Sequence, residues 1–175
     1  KTPLLLLLHG ALNSLYLAAD LISIYVAIEL ISIIAFLLVV DLKRTSTLWI
    51  AFRYLLFGDL AMLIFLLGTL VIYADQGDFA ISAAANASGL SINLLTLGLL
   101  IKTGAFLPGF WLPKTHAAAS ADISALLSGI VVTAGAAPLA RLGQLNPIAA
   151  TQLTILGLFS IVIGAAAAMV QRDVK

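Results

Sequence analysis

Six long apolar stretches, each close to the length of a membrane-spanning helix, follow one another along the 175-residue chain. A helix needs about 20 mostly apolar residues to cross the roughly 30 Å hydrocarbon core of a bilayer. The stretches are 3–19, 21–40, 47–73, 89–111, 123–142 and 147–170. The alternating segments of about ten residues that are typical of a membrane β-barrel are absent. The sequence therefore predicts an all-α fold, a polytopic transmembrane helix bundle of about six spans in a single membrane domain.

Composition excludes several other classes of protein. Hydrophobic residues make up 62% of the chain and charged residues only 10%, whereas soluble domains have about 45–50% and about 25%. A formal net charge of +1 provides no basic field for nucleic acid. The chain has no cysteine and only two histidines, far apart, which argues against an iron–sulfur cluster, a haem or a metal site. We therefore expect no cofactor in this chain and no nucleic-acid partner.

The basic residues of the connecting segments predict the orientation. All but one of them fall on the same side of the predicted bundle: Lys1, Lys43, Arg44, Lys114, Arg172 and Lys175. Only Arg141 falls on the other side. Because cytoplasmic loops carry the excess of Lys and Arg, we expect both chain ends on the cytoplasmic side. Since the chain begins at a lysine and stops just after a span, we also expect it to be cut from a longer polypeptide.

Four ionisable residues lie inside the predicted spans: Glu29, Arg53, Asp59 and Lys102. A charge at the centre of the bilayer costs at least about 2.5–3.5 kcal/mol on insertion scales, and such residues usually mark ion pathways or proton relays. Asp59 and Arg53 lie on different faces of one helix, so we expect each to contact another helix or, for Arg53, the interface.

Glu29 and Lys102 have the properties of a switchable proton site. Tyr25 and Ser32 share a helix face with Glu29. Burial favours proton release from a lysine, and a neighbouring carboxylate opposes that release. The alternative is a buried ion pair that only orders the helices.

Helix-breaking residues follow Lys102 directly. Gly104, Pro108 and Gly109 lie within seven residues of it, which predicts one discontinuous helix of the kind that transporters place at ion sites. Pro138 predicts a similar disruption in the fifth stretch, although a proline kink is often only structural. His116 lies in the connection after this helix, where a histidine can relay protons near neutral pH or simply be solvated.

Several motifs, in order along nearly the whole chain, resemble one family. They are Asp20-Leu21, Tyr25 to Leu30, Gly98 to Gly104, Phe110 to Pro113, His116 to Ala119, Ser124 to Gly129 and Gln171 to Lys175. They are similar to the antiporter-like subunits of respiratory complex I, of Mrp-type cation/proton antiporters and of membrane-bound hydrogenases. The resemblance implies two inverted repeats within about fourteen helices, of which this chain would match about the fourth to ninth, the first repeat with flanking helices.

The resemblance also implies roles for individual residues. Glu29 would pair with Lys102 in a half-channel open to the cytoplasm, with His116 near its mouth. Thr133 stands where many relatives carry a relay lysine, and Ser128 where some carry a histidine. Ala121-Asp122 replaces prolines that many relatives have. A threonine can hydrogen-bond water but cannot hold the charge of a lysine.

We therefore expect a proton-translocating, antiporter-like subunit of an NADH/ferredoxin:quinone oxidoreductase-type complex, itself non-catalytic. Its partners would be the lipid bilayer, other membrane subunits and H⁺, possibly Na⁺. The membrane would be a bacterial inner or plasma membrane, a thylakoid or an organelle inner membrane. The alternatives are a subunit of an Mrp-type Na⁺/H⁺ antiporter, a structural scaffold without conduction, and a quinone-binding redox subunit.

Overall fold

Helices dominate the structure. The computed structural model describes residues 2–40, 45–105 and 111–170, apart from the side chains of residues 45, 46, 111, 114 and 118. The α-helices in these ranges are α1 (Thr2–Leu17), α2 (Leu21–Val39), α3 (Thr45–Gln76), α4 (Gly89–Lys102), α5 (Trp111–Ala118), α6 (Ala121–Leu126), α7 (Val132–Leu145) and α8 (Pro147–Val170). A 3-10 helix, Ile81–Asn86, lies between α3 and α4. A π-helical segment, Leu127–Val131, joins α6 to α7 in one continuous stretch, Ala121–Leu145.

Four helical stretches are long and apolar enough to cross a bilayer: Leu21–Val39, Thr47–Gln76, Ala121–Leu145 and Pro147–Val170. Two shorter apolar helices, α1 and α4, have 16 and 14 residues. The predicted polytopic helical membrane bundle is therefore confirmed. At 32 residues, α3 exceeds the roughly 20 that span the hydrocarbon core, which requires tilting or extension beyond the bilayer.

The turn between α1 and α2 is defined by Asp20. Its side chain accepts a hydrogen bond from the backbone N–H of Ser23 at 2.7 Å and so caps the first turn of α2. Hydrogen bonds from Ser23 hold the pKa of the Asp20 carboxyl below its usual value. The backbone of this turn also pairs with the segment before the 3-10 helix, since the N–H of Leu21 donates to the carbonyl of Phe79 at 2.8 Å. One end of the bundle is thereby closed by hydrogen bonds.

Helix α2 packs between α1 and α3. The side chains of Leu21, Ile24, Ile28 and Ile31 along it are fully buried. Because lipid tails are as apolar as leucine, close packing rather than the hydrophobic effect holds such helices together. In α8, by contrast, only Ala149 is buried. The site described below forms around α2 and the two helices that follow it.

Candidate functional site

Lys102 is the last residue of α4 and its side chain is buried, with 3% exposed. The ammonium donates a hydrogen bond to the hydroxyl of Ser32 in α2. Nζ also lies 5.6 Å from the centre of the Tyr54 ring of α3, within the range in which a cation is attracted by an aromatic face. Three helices therefore meet around this lysine.

Two carboxyl groups lie beside it. Glu29 in α2 and Asp59 in α3 are both half-buried, and each interacts electrostatically with Lys102. Two acidic side chains from neighbouring helices therefore lie next to a lysine that also binds protons.

Close packing of α3 against α4 brings these groups together. A Cβ on Gly98 of α4 would lie 2.5 Å from the carbonyl oxygen of Ala61 in α3. A Cβ on Gly68 of α3 would lie 2.9 Å from the carbonyl oxygen of Ser91 in α4. Both positions leave no space for a side chain, so the two backbones approach as closely as small residues allow.

The helix carrying Lys102 ends at once. The N–H of Gly104 donates to the carbonyl of Ile101 at 3.1 Å and that of Ala105 to Leu100 at 3.0 Å, which is the Schellman pattern with glycine at C′. Gly104 has a φ of 68°, in the left-handed region that glycine tolerates best. The fourth apolar stretch, 89–111, therefore does not form one helix. The break comes from the conformation of Gly104, and Pro108 and Gly109 lie outside the described residues.

Pro138 does not break its helix, contrary to the sequence-based expectation. Helix α7 continues through Pro138 from Val132 to Leu145. A proline removes only one backbone hydrogen bond, and membrane helices tolerate that loss where neighbouring structure compensates for it. The irregular part of this stretch is instead the π-helical segment Leu127–Val131, a feature that often occurs at functional sites.

His116 is buried in α5, which packs against α3. Its Nδ1 lies 2.9 Å from the hydroxyl oxygen of Ser124 in α6. Burial lowers the pKa of this imidazole, because a charged ring loses hydration there. His116 is therefore not a solvated loop residue.

Thr133 is exposed, and its hydroxyl donates to the carbonyl oxygens of Gly129 and Ile130, at 2.8 and 3.0 Å, within its own helical stretch. In the described ranges no group of three His, Asp or Glu side chains is placed to hold a metal ion.

Sequence reasoning missed the direct partners of Lys102. The sequence marks Ser32 only as a residue that shares a helix face with Glu29, and no motif marks Tyr54. A pattern that could identify them is a pair of residues one helical turn apart inside an apolar span. In one form a polar residue follows a charge, and in the other an aromatic residue precedes a small one. Tyr54 precedes Gly58 by four residues, and Ser32 follows Glu29 by three.

Comparison with known families gives a consistent result. A family model described as NADH:quinone oxidoreductase/Mrp antiporter, transmembrane, matches residues 18–175. NAD(P)H-quinone oxidoreductase chain 4 1 of Synechococcus sp. (strain JA-3-3Ab) is 31% identical over 98% of the chain. The protein of the same name from Synechococcus elongatus is 33% identical. The chain spans about a third of the length of these relatives, 35% in both cases.

Solved structures of membrane complexes have the same fold. A chain of respiratory complex I from Thermus thermophilus superposes with a TM-score of 0.83 at 29% identity, covering 98% of this chain and 40% of that one. A chain of the Mrp complex from Dietzia sp. DQ12-45-1b superposes with a TM-score of 0.73 at 22% identity, covering 82% of this chain and 28% of that one. At that identity the second likeness concerns the fold alone.

Proposed function

This chain belongs to the family of antiporter-like membrane subunits shared by NADH:quinone oxidoreductases and Mrp antiporters, and on that premise we propose that it is the proton-conducting part of such a subunit in a quinone-reducing complex. It would work alongside other membrane subunits and hold no redox cofactor of its own. The quinone-reducing complex is favoured because relatives more than 30% identical carry the name NAD(P)H-quinone oxidoreductase.

One observation carries the proposal: a buried lysine lies at the end of a broken membrane helix and interacts with two acids. A buried charge in a membrane span is expensive and is usually retained for ion movement. Negative charge on Glu29 and Asp59 offsets the charge of the Lys102 ammonium, which lowers the cost of burying it.

Proton movement through this cluster would begin on the cytoplasmic side. A proton would reach Lys102 past His116, which lies close to Ser124 in α6. Protonated Lys102 then balances the charge of the acid pair, and a change in its distance from Glu29 alters how readily it releases the proton. The remainder of the subunit would carry the proton to the other side.

Proton flux in vesicles tests this proposal. The complete complex, with the full-length subunit carrying Lys102→Ala, is reconstituted and driven by NADH or ferredoxin with quinone. We expect proton uptake coupled to this subunit to be lost while the complex still assembles. Leu99→Ala is the matched control, because it removes another fully buried side chain from α4 without removing a charge.

Unchanged flux in Lys102→Ala, with assembly intact, would exclude the proton-conducting function and favour a structural scaffold. Repeating the measurement with a sodium-sensitive dye separates H⁺ from Na⁺ transport. Flux that requires Na⁺ and persists without quinone reduction would place the chain in a secondary antiporter instead.

A further inference from the structure

The ammonium of Lys102 lies in a pocket made by neutral groups. Ser32 of α2 accepts its hydrogen bond, and the Tyr54 ring of α3 lies beneath it. Gly58, one helical turn after Tyr54, forms the wall behind it. None of these three residues carries a negative charge, although two acids are close by.

Ser32 is oriented as an acceptor. Its hydroxyl donates its one proton to the carbonyl of Ile28 at 2.7 Å, so that only oxygen lone pairs face Lys102. Ser32 is fully buried, so no bulk water competes for that position. A serine that only bonds back to its own helix would need no partner from α4.

Gly58 provides the space for the ammonium. A Cβ at this position would lie 2.7 Å from Nζ of Lys102 and 4.0 Å from Cε. Within a helix glycine is less stable than alanine by about 1 kcal/mol, so a glycine in the middle of α3 calls for a packing reason. The lysine head group is the neighbour that supplies this reason.

The neutral pocket and Glu29 are adjacent alternatives for the same ammonium. Glu29 and Ser32 are three residues apart on α2, so their side chains are neighbours on one helix face, with Cβ atoms about 5–6 Å apart. A flexible four-carbon side chain can cover that distance by changing rotamers.

We propose that Ser32 and Gly58 form a neutral holding site for the Lys102 ammonium, and that the lysine exchanges between this site and Glu29 during each transport cycle. This inference rests on the proposed proton-conducting function. Ser32 and Gly58 are positioning residues in it, because they act through Lys102 and not on the proton directly.

The test compares variants of the full-length subunit in the complete complex. Ser32→Ala removes the acceptor and is expected to lower coupled proton flux about tenfold, the usual effect of losing a hydrogen bond to a charged group. Ser32→Thr keeps the hydroxyl and should restore flux close to the parent value. Gly58→Ala should lower flux in the same direction as Ser32→Ala. Thr69→Ala is the matched control.

The control removes a similar hydroxyl from another position. Thr69 is fully buried and donates to the carbonyl of Phe65 at 3.1 Å, as Ser32 does to that of Ile28. It lies eleven residues after Gly58, about 16 Å along α3. Gly157→Ala is the matched control for Gly58→Ala, because a Cβ at position 157 would meet nothing within 4 Å.

Either of two results overturns the holding site while leaving the half-channel intact. One is flux in Ser32→Ala equal to that in Thr69→Ala, when Lys102→Ala abolishes flux. The other is a loss in Ser32→Thr as large as in Ser32→Ala, which would make shape and not the hydroxyl responsible. Unchanged flux in Lys102→Ala would refute the half-channel itself.

Discussion

At the scale of single residues, the few charges inside the bundle determine its chemistry. Glu29, Asp59 and Lys102 come from three different helices and interact at one place. Gaining or losing a proton changes the net charge of this cluster, and the membrane penalises charge that is not compensated. Proton transfer is thereby linked to any motion that separates these groups.

Replacing Glu29 by Gln tests this link. The amide keeps the shape and can still hydrogen-bond to Asp59, but it removes the charge that attracts Lys102. We expect coupled proton flux to fall about tenfold, equivalent to about 1.4 kcal/mol, measured in vesicles containing the whole complex. Asp20 lies outside the membrane spans, and an Asn in its place can still cap α2. The control variant Asp20→Asn should therefore have the same proton flux as the parent protein. Equal flux in both variants would contradict a role for the Glu29 charge.

At the scale of secondary-structure elements, glycines decide how α3 and α4 behave. Gly104 ends α4 through a left-handed conformation, which leaves Lys102 in the last turn, where a cation interacts favourably with the helix dipole. Gly68 and Gly98 bring the two helices into backbone contact. The position of Lys102 relative to α3 depends on that contact.

Gly98→Ala should therefore destabilise the bundle even though alanine favours helices. The added Cβ would lie 2.5 Å from the carbonyl oxygen of Ala61, and backbone cannot move aside as a flexible side chain can. Overpacking of this kind costs about 1–3 kcal/mol. Thermal unfolding of the purified complex in detergent measures it, with Gly157→Ala as the control in open space. A thermal unfolding midpoint equal to that of Gly157→Ala would refute the close contact between Gly98 and Ala61.

At the scale of the whole molecule, side chains at the end of α7 bond to segments far from it in sequence. Arg141 donates to the carbonyl of Ala18 at 2.6 Å and also to that of Tyr16, at the end of α1. Asn146 donates to the carbonyl of Ala84 at 2.9 Å, in the 3-10 helix. These bonds join segments far apart in sequence on the side opposite the predicted cytoplasmic face.

Arg141→Ala should loosen α1 without affecting the Lys102 cluster. Hydrogen bonds from a charged donor contribute about 1.5–3 kcal/mol each, and the carbonyls at the end of α1 would lose theirs. Faster amide exchange over residues 14–19, with unchanged exchange in α4, is the expected result by mass spectrometry. Arg141→Lys keeps the charge but not the forked geometry. Its amide exchange over residues 14–19 should be faster than in the parent protein and slower than in Arg141→Ala. Uniform acceleration across all helices would show that Arg141 stabilises the bundle globally instead.

The class of fold, the approximate spans and the residues that are costly inside a membrane can all be predicted from the sequence alone. These properties follow from local composition and helical periodicity, which every residue carries wherever its helix packs. The predicted spans match the helices closely where Asp20 caps α2 and where Pro147 begins α8. The break in the fourth stretch also follows from a residue that the sequence shows, because the left-handed conformation of Gly104 ends α4.

Which side chains meet depends on how the helices pack against one another. Ser32, Tyr54 and Gly58 surround Lys102 because α2 and α4 both pack against α3, and no pattern within one helix specifies its neighbour. The outward direction of Thr133 and the contact of Arg141 with α1 have the same origin. Contacts between helices depend on the shapes of two surfaces at once, and so the partners of a buried charge are a property of the assembled bundle.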